Sequence, residues 1–171
     1  MTIEKWNEKA GKILDDFCNT DTHEKRSWAY CNLDNGVVFC NHAGTWAMFC
    51  SDAKVYSVYP AGLERLSDYP YRRNEYLGTF WKAAIEADSK LIRSAVPGTF
   101  SGTKGKIIKL ECDDTEAYVQ QNYYKLFPAN TLFYVSGPAK PVIAGIWEND
   151  KLHVIGFILP VRKLDKIFTA A

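Results

Sequence analysis

The sequence predicts an α+β fold, and three observations carry that expectation. Residues 3–18 and 75–93 repeat apolar side chains at helical spacing. Around them lie short alternating or apolar runs of strand length, each bounded by Gly, Asn, Asp or Pro. Hydrophobic residues make up 47% of the 171-residue chain and aromatics 14%, enough to cover a sheet and close a core, which excludes a disordered chain.

Residues 3–18 place Trp6, Ala10, Ile13, Leu14 and Phe17 on one stripe, and Lys5, Lys9 and Lys12 at i, i+4, i+7 on another. A polar loop over 19–25 follows. Runs 28–33 and 37–40 read as strands around the tight turn Asp34-Asn35-Gly36. His42-Ala43-Gly44 marks a second turn, after which Trp46, Met48 and Cys50 alternate along a third strand. Ser51-Asp52-Ala53 interrupts the pattern before a further strand over 54–59, and 60–74 reads as a polar connection.

The second helix, 75–93, carries the stripe Leu77, Phe80, Trp81, Ala84, Ile85, Leu91 and Ile92, and Pro97-Gly98 ends it. Residues 99–105 read as a Gly/Ser/Thr loop and 106–112 as a strand. Asp113-Asp114-Thr115 offers side-chain oxygens to free backbone N–H groups, which predicts a helix over 116–127 with Val119, Tyr123, Leu126 and Phe127 inward and Pro128 as its stop. Strands over 131–136, 141–147 and 151–159 come next. The last is apolar on both faces and is expected to be central or covered. The tail, 165–171, is expected to fray.

Net charge is +1, from 21 basic and 20 acidic residues, which argues against a general polyelectrolyte binder and leaves a local basic face open. The cysteines are Cys18, Cys31, Cys40, Cys50 and Cys112, with no C-x-x-C pair, so neither a zinc ribbon nor a thioredoxin-like site is expected. Cys40 and Cys50 read as core residues. Free thiols behind a charged N-terminal helix opening suggest the reducing cytosol. No apolar run approaches the roughly 20 residues a membrane helix needs, so no membrane partner is expected.

No catalytic constellation stands out. His23, His42 and His153 occur in none of the H-x-x-H, H-E-x-x-H or H-x-E spacings. Ser101-Gly102-Thr103-Lys104-Gly105-Lys106 has the composition of a phosphate loop without its spacing, and strand-like residues come after it where a helix is needed. There is no G-x-S-x-G elbow and no pair of carboxylates that reads as an acid/base couple. The expectation is a binding or scaffold protein with no catalytic residue, no cofactor and no metal site. An enzyme with a pocket near 98–105 is the other reading. Lys5, Lys9 and Lys12 form the candidate DNA-binding stripe, since each lysine sets a mobile positive charge beside the backbone. Glu4, Glu8 and Asp15 dilute it. Arg72-Arg73 and Lys104, Lys106 and Lys109 are weaker groups of the same kind.

The C-terminal third carries a further pattern. Tyr118-Val119-Gln120-Gln121-Asn122-Tyr123-Tyr124-Lys125-Leu126-Phe127 is followed by Thr131-Leu132-Phe133-Tyr134-Val135-Ser136-Gly137-Pro138, by Lys140-Pro141-Val142-Ile143, and by a last run closing on Ile158-Leu159-Pro160-Val161-Arg162. Over residues 118–162 this resembles the last domain of the bacterial DNA polymerase III β subunit, the sliding clamp. There a short helix precedes a strand, a G-x-x-x-P-[VL]-x-I strand and a final strand ending in M-P-M/V-R. Trp46-Ala47-Met48-Phe49-Cys50-Ser51-Asp52-Ala53-Lys54-Val55-Tyr56 is similar to the clamp's strand with T-D-G-H/Y-R-L. Ala53 stands in place of the glycine, and Lys54-Val55 in place of His/Tyr-Arg. The chain has room for one such domain where the clamp has three, and nine residues follow Arg162.

The resemblance implies a single clamp-like module over 1–171, a mixed sheet with two or three amphipathic helices on one face, and an insertion or half-domain at 60–105. It implies that the first helix and the 116–127 helix face DNA, and that Leu159, Pro160, Val161 and Arg162 form the floor of a groove for a partner peptide. The function expected is a non-catalytic accessory protein of a phage or mobile element, holding a protein partner and touching DNA. A small inhibitor of a host defence nuclease is the alternative, and the oligomeric state is left open.

Overall fold

The computed structural model describes residues 1–19, 29–41, 44–51, 72–73, 75–88, 96–102, 105–162 and 168–169. They form an α+β fold whose strands pair mostly antiparallel. The predicted strand at 54–59, most of the 60–74 connection, the 89–93 end of the second helix, His23, His42 and Lys104 lie outside these residues. The chain divides into two compact units, Met1–Ala83 and Ala84–Ala171.

In the first unit, helix α1 (Ile3–Asn19) starts where Thr2 Oγ1 accepts the Lys5 N–H at 3.3 Å, satisfying one free N–H of the first turn. Strands β1 (Ala29–Leu33), β2 (Gly36–Cys40) and β3 (Trp46–Cys50) form an antiparallel meander. Strand β4 (Arg72–Arg73) joins parallel to β1, through Ala29↔Arg72 and Tyr30↔Arg73, so the sheet is mixed. Asp34-Asn35 closes the β1–β2 hairpin as the turn chemistry predicts. Gly36 comes next because a Cβ there would strike the Cys50 carbonyl and the Phe49 ring.

Every residue of β2 and β3 is buried, so both faces of these strands are covered. The Trp46, Met48, Cys50 alternation marks only one of them. On that face Phe39 meets Trp46 edge-on, with centroids 6.4 Å apart. On the other, Phe49 stacks on Trp81 of α2 (Glu75–Asp88) at 5.5 Å. Gly78 lets α2 approach Cys31 and Leu33 on that same face. The buried stripe of α2 is Leu77, Trp81 and Ala84, whereas Phe80, expected within it, is 39% exposed. It lies three residues from Leu77, at the edge of the buried arc, beside the exposed Tyr76. Cys50, whose side chain lies on the opposite face from Phe49, meets α1, so the two helices reach the sheet from opposite sides.

The second unit holds two antiparallel groups. One runs in the order β11-β5-β6-β7, with β5 (Val96–Gly102), β6 (Gly105–Cys112), β7 (Thr115–Gln120) and β11 (Phe168–Thr169). The other is β8 (Leu132–Tyr134), β9 (Val142–Glu148) and β10 (Lys151–Ile158). The β9–β10 turn is Asn149-Asp150, with φ of 52° and 56°, the left-handed pair that a two-residue hairpin loop favours. The fully buried end of β10, from Ile155 to Ile158, agrees with its two-sided apolar pattern.

Three expectations are corrected here. The described residues of the 99–105 loop are strand: 99–102 belong to β5 and Gly105 opens β6, paired from Val96↔Glu111 to Gly102↔Gly105. The helix expected over 116–127 is strand β7 followed by a four-residue helix α3 (Gln121–Tyr124). Asp113, at φ 50°, and Asp114 form the hairpin loop that brings Thr115 opposite Cys112, and so open a strand instead of capping a helix. The tail does not fray at Phe168–Thr169, which pairs with Gly102 and Ser101.

The indole of Trp6 is 1% exposed and donates to the Phe49 carbonyl at 2.9 Å. Trp6→Phe keeps an aromatic ring but strands that carbonyl, and should cost about 1–3 kcal/mol of stability in urea unfolding. Trp147→Phe, at a side chain that is 54% exposed, should change stability by no more than about 0.5 kcal/mol. Equal effects at the two positions would refute this account of α1 docking.

Candidate functional site

The candidate site is the stretch directly after β10. β10 ends at Ile158, still paired with Val142. Leu159, Pro160 and Val161 are half-buried and Arg162 is exposed. Pro160 restricts Leu159 to extended geometry, which carries the chain straight out of β10. Three residues past the end of the strand, the Val161 N–H donates to the Tyr118 carbonyl of β7 at 2.6 Å. The four residues expected to act together are therefore contiguous and held in place by β7.

Beside this latch lies a charged cluster. Lys109 of β6 bonds Glu111 on its own strand and Glu116 on β7, the latter at 3.0 Å. The Tyr118 hydroxyl donates to Glu116 at 3.2 Å. Strand alternation puts Lys109, Glu111, Glu116 and Tyr118 on one face. The hydrogen bonds that the Lys109 ammonium donates to Glu111, then to Glu116, push it well above its usual range, so it stays charged and tied to its partners. Tyr118 falls on a strand where the sequence pattern predicts a helix. Its sequence signal is the alternation of Ala117 and Val119 with Glu116, Tyr118 and Gln120 behind an Asp-Asp turn.

The remaining site residues fall elsewhere. Lys5 and Lys12 are exposed on α1 and Lys9 is half-buried, opposite the inward Trp6, Asn7 and Ala10. They are in the first unit, whereas residues 159–162 are in the second. His153 sits half-buried within β10. Among the described residues no group of three His, Cys, Asp or Glu is placed to hold a metal ion. Cys31, Cys40, Cys50 and Cys112 are buried free thiols. Of residues 101–106, Ser101 and Gly102 lie on β5 and Gly105 and Lys106 on β6, whereas a phosphate loop leads into a helix. Among the described residues no helix is long and apolar enough to cross a membrane.

No family model, curated protein or solved structure matches the chain.

On β8, Tyr134 is 5% exposed, and burial raises its phenol above the ordinary value of 10.0. The folded state holds that proton longer than the unfolded one. Its contribution to stability is therefore intact below about pH 10 and lost as pH climbs through the higher folded value. Urea midpoints from pH 8 to 11 should fall less steeply for Tyr134→Phe than for the unaltered chain; identical slopes would exclude Tyr134 as a cause.

Proposed function

We propose that the chain is a non-catalytic, clamp-like accessory module that holds a protein partner through residues 159–162. One observation carries the reading: an apolar strip, Leu159-Pro160-Val161, stays half-buried beyond the end of its strand with the exposed Arg162 at its rim. Such a strip can bury an aliphatic or aromatic anchor of a peptide while the guanidinium bonds its polar groups. The order α3, β8, β9, β10 and then Pro160-Val161-Arg162 supports the same reading, because it is the order the clamp resemblance implies.

Contact with DNA is the less supported half. α1 carries Lys5, Lys9 and Lys12 against Glu4, Glu8, Asp15 and Asp16, so its formal charge is 3 − 4 = −1. That balance repels phosphate over the length of the helix.

The test is a pull-down of the unaltered chain beside Leu159→Asp/Arg162→Glu, with captured proteins identified by mass spectrometry and the fold of both checked by circular dichroism. A partner retained by the first should be lost at least about tenfold by the second, or about 1.4 kcal/mol. Equal capture by two folded chains would reject residues 159–162 as the contact.

A duplex of about 20 base pairs should not bind at about 150 mM salt. Binding with a salt slope near −2.7, as three lysines on phosphates would give, and loss of that binding in Lys5→Glu/Lys9→Glu/Lys12→Glu would restore a DNA role.

A further inference from the structure

The β1–β2 hairpin turns through Asn35-Gly36, and packing dictates the second of these residues. A Cβ at position 36 would strike the Cys50 carbonyl and come within 2.8 Å of the Phe49 ring, so only glycine fits. That demand leaves the Gly36 nitrogen with no side chain to shield it. The residue before it is an asparagine, which is thermolabile because a main-chain nitrogen can displace its amide.

The freedom of its amide sets Asn35 apart from Asn7 and Asn41. Asn35 is exposed, and its side chain bonds none of the described residues. The Asn7 oxygen is tied to the Ser51 N–H, and the Asn41 oxygen accepts the N–H groups of Thr45 and Trp46 at 2.9 and 3.2 Å. Asn149 is also exposed in a two-residue hairpin loop, but Asp150 follows it, and the two hold φ of 52° and 56°. Asp34 and Asn35 keep negative φ. The β1–β2 loop therefore lacks the mirror-image turn whose twist matches paired strands.

The hairpin itself restrains the reaction. Leu33 and Gly36 are its closing pair and exchange both backbone bonds, so the Gly36 N–H donates to the Leu33 carbonyl. The nitrogen can attack only while that pair is open, and local openings of this kind need less free energy than global unfolding.

We propose that Asn35-Gly36 is a self-modification site governed by opening of the β1–β2 turn. The Gly36 nitrogen bonds to Asn35 Cγ, the Cγ–Nδ2 bond breaks, and ammonia leaves with the proton that the Gly36 nitrogen gives up. Water then opens the cyclic imide. Cleavage at Cγ leaves an ordinary aspartyl link. Cleavage at the main-chain carbonyl routes the chain through the side chain, an isoaspartyl link with an added backbone carbon. Loop length sets the register of a hairpin, so the isoaspartyl loop no longer seats Gly36 against Cys50 and Phe49. The reaction thus loosens the β1–β2–β3 meander irreversibly. It goes beyond the function proposed above and does not depend on residues 159–162.

The experiment incubates the full chain in mildly alkaline buffer, folded and in guanidinium chloride. Positions 35 and 149 are followed by mass spectrometry after proteolysis, with aspartyl and isoaspartyl products separated by chromatography. Asn35 should convert before Asn149, chiefly to the isoaspartyl form. Its conversion should be at least about fivefold slower in the folded chain than in guanidinium, the factor that one net backbone hydrogen bond supplies. Asn35→Ser should abolish conversion at that position, and the converted chain should unfold at lower urea than the unconverted one. Equal rates in the folded and unfolded chains, or Asn149 converting as fast as Asn35, would overturn the proposal. So would a folded chain that stays unconverted at Asn35 after the unfolded one is spent, or a converted chain with an unchanged urea midpoint.

Discussion

Burying an amide is costly unless both of its ends are bonded, and Asn7 places that demand where α1 meets β3. It is 3% exposed, the one buried polar side chain among the described residues. Its oxygen accepts the Ser51 N–H at 3.1 Å and its nitrogen reaches the Ser51 hydroxyl at 3.3 Å. The Cys50 thiol points back to the Asn7 carbonyl at 3.7 Å, and Trp6, one residue earlier, donates to Phe49. Apolar packing alone would let α1 slide along β3 at little cost. These bonds fix its position, because a shift of one residue would strand the amide and the indole together. The alternation of β3 obeys the same constraint, since Phe49 and Cys50 must face opposite ways to meet α2 and α1.

Much of this was legible in the sequence. The helical spacing of Trp6, Ala10 and Ile13, the turn at Asp34-Asn35 and the two-faced apolar run ending at Ile158 each state a local demand that the chain meets locally. Asn7 was not legible. A lone asparagine in an amphipathic helix reads as solvated, and only the strand brought up from 43 residues later makes it a core residue. Phe80 went the other way. Its spacing joined it to Leu77 and Ala84, but the arc that α2 turns to Cys31, Leu33 and Phe49 is narrow, and Phe80 falls at its edge beside the exposed Tyr76.

The difference at 116–127 has a specific physical source. Asp113-Asp114-Thr115 satisfies two grammars, helix capping and tight turns, because the same short oxygens serve both. The residues after the turn decide between them. Ala117 and Val119 are wholly buried and pair with Leu110 and Ile108, so pairing with β6 wins over the weaker helical match of Val119, Tyr123 and Phe127. Those aromatics are used all the same. Phe133 of β8 stacks on Tyr124 at 5.0 Å and meets Phe127 edge-on at 6.1 Å, which packs α3 and the residues after it onto the strand.

Replacing that helix with β7 separates two ideas the clamp resemblance had joined. A DNA-lining face needs two long helices side by side, and α3 has four residues, too short to offer phosphate a stripe of cations. A peptide-holding face needs only a fixed apolar strip and a rim cation, and β7 provides the fixing: it is because 115–120 is extended that the Tyr118 carbonyl is free of β6 and meets Val161. β7 thus stands where a second long helix was expected, and the chain after β10 meets it through Val161. The charge of α1 points the same way. Its sequence sets three lysines beside four carboxylates, with opposite charges at i, i+4 spacing such as Glu8 and Lys12.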